Sequence, residues 1–346
     1  MLLTVKEIIN ETEDAVSIVL NKGGFFNPVK YKAGQFLIVK ILVKNKIQKR
    51  AYSFSSSPVK DKFLRITVKK VEKGLVSNYL CDSLKVGDKL EIEKPAGSFF
   101  VVPDKKVKST YVLFAGGSGI TPIFSIIRTV LDKEPLSKIL LIYANRNKAS
   151  IIFKDEIEKL ETVYPTAFSV EHLLEKTQED KANYHQDLLH EDLIAEIFQK
   201  HQITYDNHSY MMCGPAGFME KAKEILAKNG VSREKIKLEA FTTDVISSDE
   251  AKDLISTLTI YQEDKKLTLD VPGDKTILQT AMKNNIILPY SCRAGMCSSC
   301  KARCISGKIH MTDGHFLSEE EVAQGNILTC ISYPKSDTVS ISFLND

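Results

Sequence analysis

The chain has 346 residues, enough for two or three domains with sizeable cores. With 43% hydrophobic and 26% charged residues it has a globular balance, which excludes a disordered, collagen-like or small disulfide-stapled chain. The net charge of +3 conceals a division, +9 for residues 1–106 and −3 for each of 107–245 and 246–346, so the first third is expected to meet phosphate or an acidic surface.

No apolar run approaches the roughly 18 residues of a membrane span. The opening MLLTVKEIINETEDAV acquires charge too early for a secretory leader, so a cytoplasmic protein with no membrane partner is expected. No recognition motif, and no basic stripe interleaved with aromatics, points to nucleic acid.

Residues 1–100 carry short alternating runs, among them AVSIVL, QFLIVKILV, RAYSFSS, FLRITVKKV and KLEIEKP, divided by turn residues. This spacing predicts an antiparallel barrel or sandwich, with Leu75 to Leu84 as its one helix. Arg50-Ala51-Tyr52-Ser53 falls on one strand, and Gly74-Leu75-Val76-Ser77 leads into the helix. A glycine turn entering a helix is a ready anion site.

From Ser109 the pattern becomes strand, glycine-rich turn, helix, which predicts a parallel sheet covered on both faces. Gly116-Gly117-Ser118-Gly119-Ile120-Thr121-Pro122 joins the strand YVLFA to a helix that Pro122 is expected to start. Cys213-Gly214-Pro215 ends a second strand, where ligands of parallel sheets bind. Tyr143 to Asn147 ends another; Arg146 there, with no carboxylate beside it, favours a 2′-phosphate and hence NADPH over NADH. The polar stretch Thr242 to Asp253 reads as a linker, and Pro103 to Lys108 as an earlier joint.

Beyond the linker come a hairpin (STLTIYQ, KKLTLDV), a helix (TILQTAMKNN), a cysteine loop and a last strand, TVSISFL. Cys292, Cys297 and Cys300 are spaced C-x4-C-x2-C, and Cys330 follows after 29 intervening residues. Four thiolates in this pattern suit a plant-type [2Fe–2S] cluster. Structural zinc normally uses two C-x2-C pairs, and only one is present. Gly295 with Ala294, Ser298 and Ser299 would let backbone N–H groups face the sulfurs. Cys304 is expected to be a buried small apolar residue, and Cys81 has no assigned role; the histidines, in no ligand spacing, are read as surface or loop residues.

Taken together, these motifs resemble the ferredoxin–NADP⁺ reductase superfamily carrying a C-terminal plant-type ferredoxin. The resemblance implies three domains: an antiparallel β-barrel FAD domain over 1–104, an α/β parallel-sheet NAD(P) domain over 105–243 and an α+β, β-grasp ferredoxin domain over 254–346. It implies that Arg50 pairs with the flavin phosphate, Tyr52 packs on the isoalloxazine and Ser53 hydrogen-bonds near N5. Ala51, Val68, Lys69, Val71, Gly74, Val76 and Ser77 would line the rest of the cofactor, FAD rather than FMN. Gly117, Ser118, Gly119, Thr121 and Pro122 would hold the nucleotide pyrophosphate and Arg146 its 2′-phosphate. Cys213, Gly214 and Pro215 would lie beside the nicotinamide, and Glu239-Ala240-Phe241 resembles the acidic-x-aromatic segment that closes over the flavin. Ser53, Cys213 and Glu239 are then the catalytic candidates, and Cys292, Cys297, Cys300 and Cys330 the iron ligands.

The implied path runs from NADPH through FAD to one [2Fe–2S] cluster, because a hydride carries two electrons and the cluster takes one. Within the superfamily the resemblance is to reductase components of multicomponent oxygenases, those for phenylacetyl-CoA epoxidation above all. The expected partner is such a terminal oxygenase, with another hydroxylase or a hybrid-cluster protein as the alternative acceptor. An iron–sulfur redox sensor is the alternative of another class, though it would have no need of a complete hydride site.

Overall fold

A computed structural model describes residues 1–24, 27–43, 46–176, 183–206, 208–241, 254–262, 265–290, 292–312 and 317–343. The chain divides into two compact units, Met1–Glu239 and Ala240–Asp346. The expected linker at 242–253 lies outside the described residues. Among the described residues no helix is long and apolar enough to cross a membrane.

The first unit opens with a six-stranded antiparallel sheet in the order Lys46–Ser53, Phe36–Val43, Lys89–Ile92, Leu2–Thr12, Ala15–Leu20, Leu64–Lys69. Its two edges meet where Phe54 bridges Ile66 and Ser55 N–H donates to the Arg65 carbonyl at 2.8 Å, so the sheet closes as a barrel and loses its exposed edges. Alternation sends Leu3, Ile18, Leu37, Val39, Leu64 and Ile66 into one core. The helix Leu75–Asp82 adds Val76 and Leu80 to it.

The second sheet is parallel throughout, in the order Tyr184–His185, Phe168–Leu174, Lys138–Asn145, Thr110–Gly116, Ser209–Cys213, Ile236–Glu239. The chain adds strands outward on one side of Thr110–Gly116 and then crosses to the other. The point where strand order reverses therefore lies between Thr110–Gly116 and Ser209–Cys213. The helix at the glycine turn runs Ile120–Lys133, so Pro122 is its third residue rather than its first, still within the turn where a missing N–H costs nothing.

Barrel and parallel sheet are joined by a polar seam. Ser125, Arg128 and Thr129 lie on one face of that helix, at i, i+3 and i+4. Ser125 Oγ donates to the Ser56 carbonyl (2.6 Å), Thr129 and Ser57 share a hydrogen bond (2.8 Å), and Arg128 pairs with both oxygens of Asp61 (2.6 and 2.7 Å). Arg65 reaches across to Glu156 at 2.6 Å while lying over the rings of Phe124 and Phe153. Ser55, Ser56 and Ser57 are all buried and each hydroxyl is partnered, Ser55 by Thr67 and Ser56 by Tyr31 within the barrel and Ser57 by Thr129 across the seam.

On Phe168–Leu174, beside the edge strand Tyr184–His185, Glu171 is buried yet charged. Burial alone would raise its pKa, but hydrogen bonds from His201, Lys200 and His185 outweigh it and hold the carboxyl at about 2. A depressed carboxyl stabilises the fold above its unfolded value of 4.5, and that stability is lost as pH falls toward 2. Thermal melting of the wild type should therefore decline more steeply across this window than that of Glu171→Gln; equal slopes would show that this carboxylate adds nothing.

The second unit holds a five-stranded mixed sheet ordered Lys265–Pro272, Ile255–Gln262, Thr338–Phe343, Lys301–Ser306, Asn326–Leu328, with Ile255–Gln262 and Thr338–Phe343 parallel. The helix Ile277–Lys283 begins at a Thr276/Gln279 capping box and buries Ile277, Leu278 and Ala281 in that sheet's core. This sheet, with the helix packed on it, is the β-grasp arrangement. Cys304 is only half-buried, not buried as expected, because, although it shares the covered face of its strand with Ala302, it packs at the margin of the core.

Candidate functional site

At the strand-order reversal two glycine turns interlock. A Cβ on Gly119 would fall 2.0 Å from the Cys213 carbonyl oxygen, one on Gly116 would fall 2.5 Å from Pro215 Cδ, and one on Gly214 would fall 2.9 Å from Gly116 N. Gly117 has φ +51°, and Tyr143 donates to its carbonyl at 3.1 Å. Thr121 Oγ1 donates to the Ser118 carbonyl at 3.0 Å, tying the turn to the helix start. The glycines thus admit a second backbone segment, not only a ligand.

Cys213 and Glu239 are register partners on adjacent parallel strands, and both are buried. Burial, with Glu239 a smaller contributor, pushes the Cys213 thiol up, and burial pushes the Glu239 carboxyl well above its ordinary range. The Cys213 thiol is therefore neutral near pH 7, burial favours the protonated form of Glu239, and Glu239 Oε2 has no hydrogen-bond partner among the described residues. Phe241 falls in the second unit and is 42% exposed.

Beside Gly117 opens a cavity of about 360 Å³ that continues along the carboxyl ends of Lys138–Asn145 and Phe168–Leu174. Lys69, Arg146 and Pro215 line it, so Lys69 lies on the nucleotide side of the barrel. Glu175, Asp187 and Asn145 also line it, and neither polar atom of the buried Asn145 amide has a hydrogen-bond partner among the described residues. Arg146 pairs with Asp14 at 2.8 Å and Lys69 approaches the same carboxylate at 3.6 Å. The cavity is therefore not free of carboxylates, as the strand end alone had implied: Glu175 and Asp187 line it, and Asp14 of the barrel engages two of its cations.

On the barrel, Arg50 and Tyr52 share one face of Lys46–Ser53, and Ala51 and the buried Ser53 share the other. Arg50 Nη1 donates to the Lys49 carbonyl at 2.7 Å. Burial raises the Tyr52 phenol far enough to keep it neutral. Val68 and Val76 are core residues, while Val71 is exposed at the turn. Ser77 Oγ accepts from Val71 N–H at 3.2 Å and closes the 71–77 turn, in which Gly74 leaves no room for a Cβ. The helix that follows has no side-chain cap and no acidic residue in its first turn, which leaves its N-terminal dipole for an anion.

In the second unit the four predicted cysteines converge. Cys292 and Cys297 sulfurs lie 3.2 Å apart, Cys300 and Cys330 sulfurs 3.3 Å apart, and all four residues are buried. Ala294 N–H points at the Cys292 sulfur at 3.5 Å, and the Met296, Ser299 and Gly295 amides serve Cys292, Cys297 and Cys330 respectively. Arg293 and Gly295 take positive φ, +62° and +74°, which wraps the loop. Sharing between close thiols pushes Cys292 up and Cys297 down to about 5.

Three family models match in succession: an oxidoreductase FAD-binding domain over residues 2–101, an oxidoreductase NAD-binding domain over 113–224 and a 2Fe-2S iron-sulfur cluster binding domain over 260–335. The ferredoxin reductase component of 3-ketosteroid-9-alpha-monooxygenase from Rhodococcus rhodochrous is 32% identical, over 99% of this chain and 97% of that protein. The chain belongs to the ferredoxin–NADP⁺ reductase-like oxidoreductases with a C-terminal [2Fe–2S] domain. A component of 1,2-phenylacetyl-CoA epoxidase from Escherichia coli (strain K12) is a 30% identical relative over 99% of this chain and 97% of its own. Phthalate dioxygenase reductase shares the fold, with a TM-score of 0.63 at 21% identity over 99% of this chain and 98% of that one.

As a member of this reductase family the protein is an NAD(P)H oxidoreductase that binds FAD and one [2Fe–2S] cluster. Its own residues fit all three groups. The uncapped, acid-free helix start suits the flavin phosphates, the orphaned Asn145 and Glu239 atoms and the interlocked glycines suit the nucleotide, and four buried thiols served by backbone N–H groups suit two irons. Sequence patterns missed Asn145, Glu175, Asp187 and Asp14 at the cavity, because their convergence depends on sheet order. His201 and His208 do fall in a turn and a loop, as read, but His201 is tied to a buried carboxylate and both ring nitrogens of His208 are buried.

Proposed function

We propose that this protein draws hydride from NADPH and delivers single electrons to a terminal oxygenase, that of a phenylacetyl-CoA-epoxidising system. The observation that carries the reading is the meeting of Gly116–Gly119 with Cys213–Gly214 at the strand-order reversal, in a chain that also brings four cysteines together. When bound, the flavin accepts a hydride and releases electrons singly, and the cluster accepts one at a time. Arg50 and the Leu75–Asp82 helix start hold the flavin phosphates, and Tyr52 and Ser53 orient its ring. Cys213 and Glu239 form a buried floor under the nicotinamide, where burial favours the uncharged form of each side chain. The 30% identical epoxidase component supports the choice of oxygenase, and the 32% identical ketosteroid relative favours a ring-hydroxylating acceptor as a second reading.

The test is reconstitution. With NADPH, the protein should sustain phenylacetyl-CoA epoxidation by the matching oxygenase. Turnover with a ketosteroid hydroxylase or hybrid-cluster protein alone would transfer the reading to that acceptor, and cluster reduction without turnover of any acceptor would favour a sensor.

Nucleotide choice depends on one exposed ion pair. An exposed pair contributes about 1 kcal/mol or less, so a 2′-phosphate dianion should displace Asp14 from Arg146. Asp14→Asn should raise the NADPH/NADH ratio of kcat/KM about threefold to tenfold, and Arg146→Gln should lower it by a similar factor. A ratio unmoved by either change would remove Arg146 from the phosphate subsite.

A further inference from the structure

Glu171 lies on the strand Phe168–Leu174, two residues before Leu173, which lines the nucleotide cavity. Its side chain is 1% exposed, with His185 Nε2 at 2.8 Å from Oε2, and Lys200 Nζ at 2.8 Å and His201 Nε2 at 2.5 Å from Oε1. These partners come from the two ends of one excursion. His185 ends the edge strand, and Asp187, Leu188 and Leu189, which follow it, form a wall of the cavity. His190 then caps the helix Glu191–Lys200, whose last residue and its successor return to the same carboxylate. Within the wall, Asp187 pairs with His190 at 2.9 Å.

With the nicotinamide at Cys213, as proposed above, the opposite half of the dinucleotide falls over Ala144–Arg146 and against this wall, which line the cavity. Burying a carboxylate is expensive unless several donors compensate, and an apolar residue would fill the same space without that cost. The Lys200 ammonium sits on the same oxygen as His201, and a fixed cation there opposes a metal ion, so these groups are not assembled for one. We propose that Glu171 is a positioning residue for the nicotinamide nucleotide: by tethering His185 on one flank and Lys200–His201 on the other, it sets the place of the Asp187–Leu189 wall against the adenosine half. This rests on the reading of the 360 Å³ cavity as the nucleotide site.

The test uses the full chain with flavin and cluster in place, NADPH or NADH as donor and ferricyanide as acceptor. Glu171→Gln should raise the nucleotide KM about tenfold with kcat within about twofold of wild type, and should weaken binding of oxidised nucleotide by the same factor as KM. A fall in melting temperature with KM unchanged would reduce Glu171 to a structural role and overturn the proposal. Should that variant fail to fold, His185→Asn cuts only the edge-strand tether, and it should raise KM about threefold; no rise overturns the proposal equally. Asn145→Leu, altering the cavity itself, runs in parallel. If it raises KM while Glu171→Gln does not, the tether is wrong and the cavity reading stands; if neither raises KM, the cavity reading fails as well.

Discussion

Replacing Gly119 with alanine is expected to lower stability by about 3 kcal/mol and to slow NAD(P)H-dependent flavin reduction by about a hundredfold or more. The added methyl would lie 2.0 Å from the Cys213 carbonyl oxygen and 2.4 Å from its carbon, and both are backbone atoms that cannot rotate aside. Either Ser209–Cys213 shifts, carrying Cys213 and Gly214 away from the proposed nicotinamide site, or the helix Ile120–Lys133 does, straining the seam with the barrel. Gly217 is the control: it lies in the helix Ala216–Lys228 and a Cβ there meets nothing within 4 Å, so Gly217→Ala should be neutral or slightly stabilising. Thermal melting and stopped-flow bleaching of the flavin read both effects. A Gly119→Ala protein as stable and as fast as wild type would show that the two turns have slack.

Replacing Cys330 with alanine should abolish cluster assembly while leaving the flavin reducible. Cys330 arrives from a segment 30 residues beyond Cys300, yet its sulfur lies 3.3 Å from that of Cys300, so its loss leaves the quartet one thiol short. Iron and sulfide content should fall to background and electron delivery to a one-electron protein acceptor by at least about a hundredfold, beyond what changing a group that merely hydrogen-bonds a ligand produces. Flavin reduction by NAD(P)H should stay within about threefold, since Met1–Glu239 is compact by itself. Cys304→Ser should change neither measure, because its half-buried thiol sits outside the quartet, near the Ser306 and Gly307 carbonyls. Normal iron content in Cys330→Ala would overturn the four-cysteine assignment.

What could be read in the sequence was whatever lies close together along the chain or in a fixed order. Cys292, Cys297 and Cys300 are spaced by their loop, and the glycine turn and Cys213–Pro215 each follow an apolar strand, so the chemistry is written in short words. The barrel was legible from alternating runs, and the parallel sheet from strands alternating with amphipathic helices. Residues that meet only through sheet order were not. Asp14 reaches Arg146 across 132 residues and His201 reaches Glu171 across 30, and neither carries a local signal. A histidine that satisfies a buried carboxylate looks, in one dimension, like any exposed histidine. The helix Glu191–Lys200 also went unrecognised, although His190 and the acidic Glu191 and Asp192 form an ordinary helix start.

The run Ser55-Ser56-Ser57 sets the unit of inheritance for this molecule. A chimaera that took the barrel from one relative and the parallel sheet from another would have to carry both sides of the side-chain pairs, Ser57 with Thr129 and Asp61 with Arg128, and keep Ser125 against the backbone carbonyl at 56. The connector at 103–108, the obvious place to cut, is thus a poor crossover point. A nick there should leave the two halves associated, held by hydroxyl groups and two bidentate guanidinium pairs in place of the peptide bond.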